Sequence, residues 1–355
     1  MKEEPKLQHI YGYTNLNVQK AKHAAFEQTL SPATFQCKDP NALLGIEVEV
    51  ENIREGIPLE YYWKIKADHS LRNHGVECVS IPLRGHQVEH ALRYLKTQMC
   101  TFNKPDFSNR TSVHVHLNVR DMSWSQVKVL VILYALFERH FFNLAGTKRE
   151  QSIFCVPLYK SNQLSTILHI QNGGTKWHKY NALNLGTILG DGDVGCYGTI
   201  EFRHLYGTDD LPTLMTWINN ILLLRKASNE YKLEDLLEKV KTLNSTSEYV
   251  QLYEKIFQEY ADLRSMSKKD FEYCVTHVKE VFWGYDLLRK EPYKAESSLG
   301  KKIFHTQVDD TQVNTKTYIK KHNMPYLAPG ILTPEMVEKV NQDLLIALET
   351  EEGAF

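Results

Sequence analysis

The stretch SVHVHLNV, at residues 112–119, alternates apolar and polar side chains strictly, as a β-strand with one buried face does. Side chains two residues apart on a strand point to the same face, so His114, His116 and Asn118 are expected to lie side by side. A polar strand face of this kind is either a solvated surface or a row of metal ligands. The stretch therefore predicts a sheet with one apolar face and leaves the role of its polar face open.

Three other stretches show the same alternation: LLGIEVEVENI from residue 43, GVECVSIPL from residue 75 and YGTIEFRHLYGT from residue 197. The first brings Glu47 and Glu49 to one face of a strand, and the last does the same for Glu201 and Arg203. Glu77, in the second stretch, is a weaker candidate because an apolar side chain shares its face. Four strands with polar faces are therefore predicted.

Helical periodicity fills the intervals between these strands and most of the chain after them. The predicted elements are helices over 86–101 and 124–144, a helix of about four turns with an Asp cap and Pro212 in its first turn, a largely helical stretch over 231–290, a loop over 300–330 and a helix begun by Pro334. This order predicts an α+β fold in which helices pack on a largely antiparallel sheet.

Composition excludes several classes of protein. The chain of 355 residues is 42% hydrophobic and 24% charged, as soluble globular proteins are. Its 42 basic and 43 acidic side chains almost cancel, so charge gives no reason to expect general nucleic-acid or membrane-surface binding. The most apolar run, at 127–137, is too short to cross a bilayer and is expected to form a buried helix. The polar start MKEEPKLQHI predicts a cytoplasmic protein.

The charged pairs on the strands indicate a common site. Each pair alone is most simply a solvated strand face or a salt bridge, but carboxylates on one face repel each other unless a cation or an arginine lies between them. Several carboxylates with one or two imidazoles favour a hard cation, Mg²⁺ or Mn²⁺, over zinc. Arg203 adds a guanidinium that matches phosphate oxygens, so the set is suited to nucleotide phosphates.

These motifs come in the order found in the amidoligase family, which the sequence resembles over roughly residues 41–210. The motifs are GIEVEVE, DHS followed by VECVSIPL, SVHVHLNV, KYNALN, and TIEFR followed by GT. That family belongs to the carboxylate–amine ligase superfamily, with the fold of glutamine synthetase and glutamate–cysteine ligase. The resemblance implies a curved, largely antiparallel sheet that forms an active-site funnel, with ATP entering one end and the substrate the other.

The resemblance also implies a reaction and a set of metal ligands. ATP would convert a carboxylate into an acyl phosphate, releasing ADP, and an amine would then displace the phosphate to form an amide. Glu47, His114 and Glu201 correspond to ligands of the cation that bridges the ATP phosphates. Glu49 and Glu77 correspond to ligands of a second cation nearer the acyl phosphate. Both cations would be Mg²⁺, with Mn²⁺ as the alternative.

Further site residues follow from the same resemblance. His116 resembles the histidine that approaches the phosphates, and Arg203 would stabilise charge on the transferring γ-phosphoryl group. Lys179, where the family often has Arg, and Asn184 are predicted nucleotide contacts. Asp68, in the DHS motif, would orient or deprotonate the amine, or else cap a turn.

The predicted organisation is an N-terminal segment over 1–40, an amidoligase-like catalytic domain over 41–230 and a mainly helical C-terminal extension over 231–355. The partners would be a carboxylate substrate and an amine substrate, drawn from amino acids, peptides or a modified polymer. A homo-oligomer is compatible with this organisation.

Two other functions stay open at this point. His114, His116 and a glutamate could form a cupin-like or hydrolytic metal site, which would hold Fe or Zn tightly and need no ATP. A ligase fold could also serve as a non-catalytic binding module. GDGDVG at 190–195 matches the dinucleotide fingerprint, but a strand follows it where a helix is required, so it is expected to be a loop.

Overall fold

The structure is a computed structural model, and it describes residues 4–11, 34–54, 56–57, 62–161, 163–169, 177–189, 197–264 and 266–290. The predicted loops at 190–195 and 300–330 and the predicted helix from Pro334 lie outside these residues. Over the described ranges the chain is a mixed α/β protein built on one antiparallel sheet.

Seven strands form the sheet in the described part of the chain, and every pairing between them is antiparallel. They are β1 Leu43–Val50, β2 Trp63–Ala67, β3 Val76–Ser80, β4 Leu83–Arg84, β5 Ser112–Asn118, β6 Leu183–Asn184 and β7 Thr199–Tyr206. Their order in space is β2-β3-β1-β5-β7-β6, and β4 pairs with the start of β1. The four strands predicted from alternation are β1, β3, β5 and β7, so that prediction is confirmed.

Ten α-helices lie among the described residues. They are α1 Leu7–Tyr11, α2 Val88–Phe102, α3 Trp124–Leu136, α4 Glu138–Ala145, α5 Gln163–Thr166, α6 Gly186–Leu189, α7 Leu211–Glu230, α8 Leu233–Thr242, α9 Thr246–Phe257 and α10 Lys268–Lys290. Short 3₁₀ turns occupy Gly85–Gln87, Thr147–Gln151, Leu158–Lys160, Ile167–His169 and Gln258–Tyr260. None of the described helices has both the length and the apolar character needed to cross a bilayer.

One face of the sheet is apolar and covered by helices. Ile46, Val115 and Phe202, from three neighbouring strands, are completely buried. The Phe202 ring packs against Tyr134 of α3 and Phe141 of α4, with ring centroids 6.1 and 5.8 Å apart. Because strand side chains alternate, the polar residues of the same strands are directed to the other face.

The helices after residue 230 share the core of the sheet. Leu236 of α8, Phe257 of α9 and Val278 of α10 are buried in the same hydrophobic cluster as the strand side chains. The described residues therefore show no break in the apolar core at the predicted boundary between 230 and 231. That division of the chain stays a prediction.

The run predicted as one helix over 124–144 forms two helices, so this prediction was wrong in detail. The break lies at Phe137, whose φ of −118° and ψ of 20° are not helical. Its ring packs between Tyr249 and Phe257, with centroid distances of 5.1 and 5.4 Å. Neither Pro nor Gly stands at the break, and the non-helical residue is the one whose ring packs into the C-terminal helices.

The first turn of α7 provides a test of stability. Asp210 Oδ2 accepts hydrogen bonds from the Thr213 amide (3.0 Å) and hydroxyl (2.6 Å), as predicted for a cap. We expect Asp210→Ala to lower the free energy of unfolding by about 1 kcal/mol, seen as a lower urea midpoint. Asp210→Asn keeps an acceptor oxygen and serves as the control. Equal losses in the two variants would contradict a capping role.

Candidate functional site

The register of the central strands brings the predicted acidic and imidazole side chains together. Glu47 of β1 lies directly opposite His114 of β5, and Glu49 of β1 lies opposite Glu77 of β3. Residues that face each other across an antiparallel pair project from the same side of the sheet. These four side chains therefore share the polar face.

A β-bulge in β7 completes this face. His116 pairs with Glu201, but beyond that pair Arg203 and His204 both lie opposite His114. Arg203 keeps the face of Glu201 and forms an ion pair with its carboxylate. His204 is fully buried on the helix side, with its ring centroid 5.4 Å from that of Tyr134. Because Leu205, opposite Val113, is also fully buried, the extra residue lets two successive side chains, His204 and Leu205, enter the core.

The two histidines lie within reach of the same carboxylates. His114 Nδ1 is 3.3 Å from Glu47 Oε2 and 3.4 Å from Glu201 Oε1. His116 Nε2 is 3.4 Å from Glu47 Oε1 and 3.9 Å from Glu201 Oε1. All four side chains are at least four-fifths buried, so their charges are poorly screened by water.

Two sets of three side chains in the described residues could each hold a metal ion. One contains Glu47, Glu77 and His114, and the other contains Glu47, His116 and Glu201. The ligand atoms within each set lie within 4.8 Å of one another. Since both sets contain Glu47, its two oxygens could bridge a pair of cations. The carboxylate-rich donors fit Mg²⁺ or Mn²⁺ better than they fit a structural zinc.

An unsatisfied atom supports this interpretation. His116 Nε2 is buried and makes no hydrogen bond within the described part of the chain. The other ring nitrogen, Nδ1, lies 3.2 Å from the Thr199 hydroxyl, which orients the ring. A buried nitrogen left without a hydrogen bond beside two carboxylates is a suitable ligand atom for a cation.

Glu49 lies outside both sets and is engaged by Ser112. Glu49 Oε2 accepts hydrogen bonds from the Ser112 amide (2.8 Å) and hydroxyl (2.6 Å). The same hydroxyl is 2.8 Å from His114 Nε2, so this pair fixes the orientation of the His114 ring. The grouping differs from that implied by the family resemblance, in which Glu49 and Glu77 hold one cation. Direct ligation by Glu49 stays a prediction.

Asn184 is brought to the site, in contact with Glu201. Its Nδ2 donates to Glu201 Oε2 (2.8 Å), and its Oδ1 accepts from the Gly186 amide (2.8 Å). Both ends of the amide are therefore used to hold Glu201 in place. A direct contact between Asn184 and a nucleotide stays a prediction.

The other two predicted residues lie apart from the carboxylates. Asp68 accepts a hydrogen bond from the Ser70 amide (2.8 Å), which is the turn-capping role considered as its alternative. Lys179 is exposed, with its Nζ 5.0 Å from the centre of the Tyr180 ring. Among the described contacts, none joins Asp68 or Lys179 to the metal-ligand sets. Their proposed roles with the amine and the nucleotide stay predictions.

Charge shifts the pKa values of this cluster in opposite directions. Burial favours a higher pKa for Glu47, but the charge of the nearby His116 and the contact with His114 outweigh it and hold the pKa well below its usual range. For Glu201, Arg203 and the histidines likewise outweigh burial and lower the pKa. The cluster is therefore built to keep these two carboxylates ionised.

Glu77 behaves in the opposite way. Burial, followed by the charge of Glu47, raises the pKa of Glu77 to about 8. Lys66 Nζ lies 3.8 Å from Glu77 Oε2 and offsets only part of this effect. Without a cation, Glu77 therefore carries a proton at neutral pH, which a bound metal ion would displace.

Arg149 is a residue of the site region that the sequence did not indicate. It is buried, and its Nε donates to the His204 carbonyl (2.8 Å) while one Nη donates to the Arg203 carbonyl (3.1 Å). It thus holds both carbonyls of the β-bulge from behind the site. Nothing in the local sequence TKREQ separates this arginine from its exposed neighbour Lys148.

Comparison with known proteins supplies no further identification. No family model matches the chain. No curated protein matches it either. The interpretation of the site therefore rests on the residues and their geometry.

The shared carboxylate gives a prediction about metal stoichiometry. We expect the chain to bind two Mn²⁺ ions in a calorimetric titration, and Glu47→Gln to weaken both sites because Glu47 belongs to both sets. Glu77→Gln and Glu201→Gln should each weaken one. Glu238→Gln, an exposed change on α8, is the matched control. Two intact sites in Glu47→Gln would overturn the assignment.

The raised pKa of Glu77 gives a prediction about stability. Between the ordinary pKa of 4.5 and the folded value of about 8, the folded chain holds a proton that the unfolded chain has lost. Stability in chelator should therefore fall as the pH rises from about 5 to about 8. We expect Glu77→Gln to lose less stability over this window, measured as Tm at each pH. Parallel Tm curves for the two proteins would exclude the shift.

Proposed function

We propose that the chain is an ATP-dependent carboxylate–amine ligase with a glutamine synthetase-like fold. The observation that carries this proposal is the pair of metal-ligand sets that share Glu47, with Arg203 on the same strand face. Two adjacent divalent cations beside a guanidinium can neutralise the charge on a phosphoryl group during its transfer. The resemblance of the strand motifs to the amidoligase family points to the same chemistry.

The proposed reaction has two steps. A substrate carboxylate oxygen would attack the γ-phosphorus of ATP, so that ADP leaves and an acyl phosphate forms. The amine would then attack the acyl carbon, inorganic phosphate would leave, and the nitrogen would give up a proton. Bound Mg²⁺ would neutralise the charge of the phosphate oxygens in the first step.

The chain's own residues would supply binding and orientation. Glu47, Glu77 and Glu201, with one imidazole in each set, would hold the cations. Arg203 would stabilise the charge that develops on the transferring group, since it already lies against Glu201. Ser112 would keep Glu49 and His114 in fixed positions by its hydroxyl hydrogen bonds.

A second function is favoured by a specific contact. His114 Nδ1 lies 3.3 Å from Glu47 Oε2 and His116 Nε2 lies 3.4 Å from Glu47 Oε1, and two imidazoles with one carboxylate are the ligand types of zinc hydrolases. A hydrolase of this kind would be purified with Zn or Fe and would need no ATP. Elemental analysis together with ATP dependence separates the two functions.

The test does not require the natural amine. The full chain is incubated with Mg²⁺-ATP, hydroxylamine and a panel of amino acids and acidic peptides, and ADP and hydroxamate are measured. Hydroxylamine converts an acyl phosphate into a hydroxamate, so equal amounts of the two products would identify carboxylate activation. Absence of ADP and hydroxamate with every carboxylate would favour the binding-module interpretation.

Substitution of Arg203 tests its role in phosphoryl transfer in the same assay. Arg203→Lys keeps the charge but loses the planar pair of donors, so we expect ADP release to fall about 10³-fold. Arg225→Lys is the control, because Arg225 is a buried arginine that pairs with Asp39 (3.1 Å) and Asp121 (2.6 Å) in a different part of the fold. Equal turnover in Arg203→Lys and wild type would remove Arg203 from the mechanism.

A further inference from the structure

Tyr197 is an exposed aromatic residue at the rim of the metal-ligand sets. It is 54% exposed, more than any other large apolar side chain in the described part of the chain. Tyr197 precedes β7 by two residues, and its contact with His116 places its ring on the polar face of the sheet. The Tyr197 ring lies edge-on to His116, with centroids 6.4 Å apart and planes at 88°. An exposed aromatic ring therefore stands next to a proposed metal ligand.

The backbone that carries this ring is firmly held. The amides of Tyr197 and Gly198 both donate to the Thr187 carbonyl, at 2.8 and 2.9 Å. The Tyr197 carbonyl accepts a hydrogen bond from Arg120 Nε (2.8 Å). An exposed ring on a fixed backbone is pre-organised for binding, because little conformational freedom remains to be lost there.

We propose that Tyr197 is the platform on which the base of the nucleotide stacks. The inference rests on the proposed function, because it places a nucleoside triphosphate along β7. Tyr197 and Glu201 are four residues apart, so the chain between them spans at most about 14 Å. This is the scale on which a nucleotide base is separated from its terminal phosphate. The triphosphate would then lie past His116 and reach the carboxylates at Glu201.

The chemistry of stacking predicts a particular specificity. Every base presents a π-face, so stacking on an aromatic ring tolerates different bases. Tyr197 is therefore expected to raise affinity for nucleotides in general, with similar contributions for ATP and GTP. It should contribute nothing to ligands that have phosphates and no base.

The test compares a ligand with a base and a ligand without one. Binding of Mn²⁺-ATP and of Mn²⁺-tripolyphosphate to the full chain is measured by calorimetry. We expect Tyr197→Ser to weaken ATP about tenfold and to leave tripolyphosphate unchanged. Tyr197→Phe keeps the ring and should bind ATP as wild type does. Tyr206→Ser, which removes a 40% exposed tyrosine from the opposite end of β7, is the matched control.

The outcomes separate this inference from the proposed function. Wild-type binding of ATP with no loss in Tyr197→Ser would overturn the platform and leave the ligase proposal standing. Equal weakening of ATP and tripolyphosphate would also overturn it, because the ring would then act through His116. A wild-type chain that binds Mn²⁺ but neither phosphate ligand would overturn both proposals.

Discussion

The antiparallel pairing of β1 with β5 is the constraint on which the site depends. It places Glu47 opposite His114, between two further strands that contribute Glu77 and Glu201. A shift of one residue in this pairing would turn the carboxylates toward the helices and the valines toward solvent. Because burying Ile46 and its apolar neighbours fixes the register, the stability of the core and the geometry of the site have the same origin.

That register concentrates acidic charge in a poorly solvated place. The histidines and Arg203 stabilise the ionised forms of Glu47 and Glu201, but they do not extend this effect to Glu77, whose pKa is raised to about 8. A bound divalent cation would supply the missing positive charge and release the proton of Glu77. The arrangement thus explains in physical terms why several carboxylates can share one buried strand face.

Much of this arrangement could be predicted from period-two alternation. A strand with one buried face alternates apolar and polar residues, and this pattern is visible in the sequence. The strands that carry Glu47, Glu77, His114 and Glu201 were predicted in this way, and the structure brings these side chains together. Strand β2 was missed because four of its five residues are exposed, so burial imposes no pattern on it. The grouping of ligands around a shared Glu47 depends on strand order, which alternation does not encode.

Two other features depend on contacts between distant parts of the chain, and both concern Arg203. The β-bulge directs both His204 and Leu205 into the core directly after Arg203, and Tyr134 contacts His204 and also donates to the buried Glu138 (2.9 Å). Arg149 binds the two carbonyls of that bulge from a separate loop. Core packing of the His204 ring and the hydrogen bonds from the buried Arg149 guanidinium therefore hold the backbone that carries Arg203.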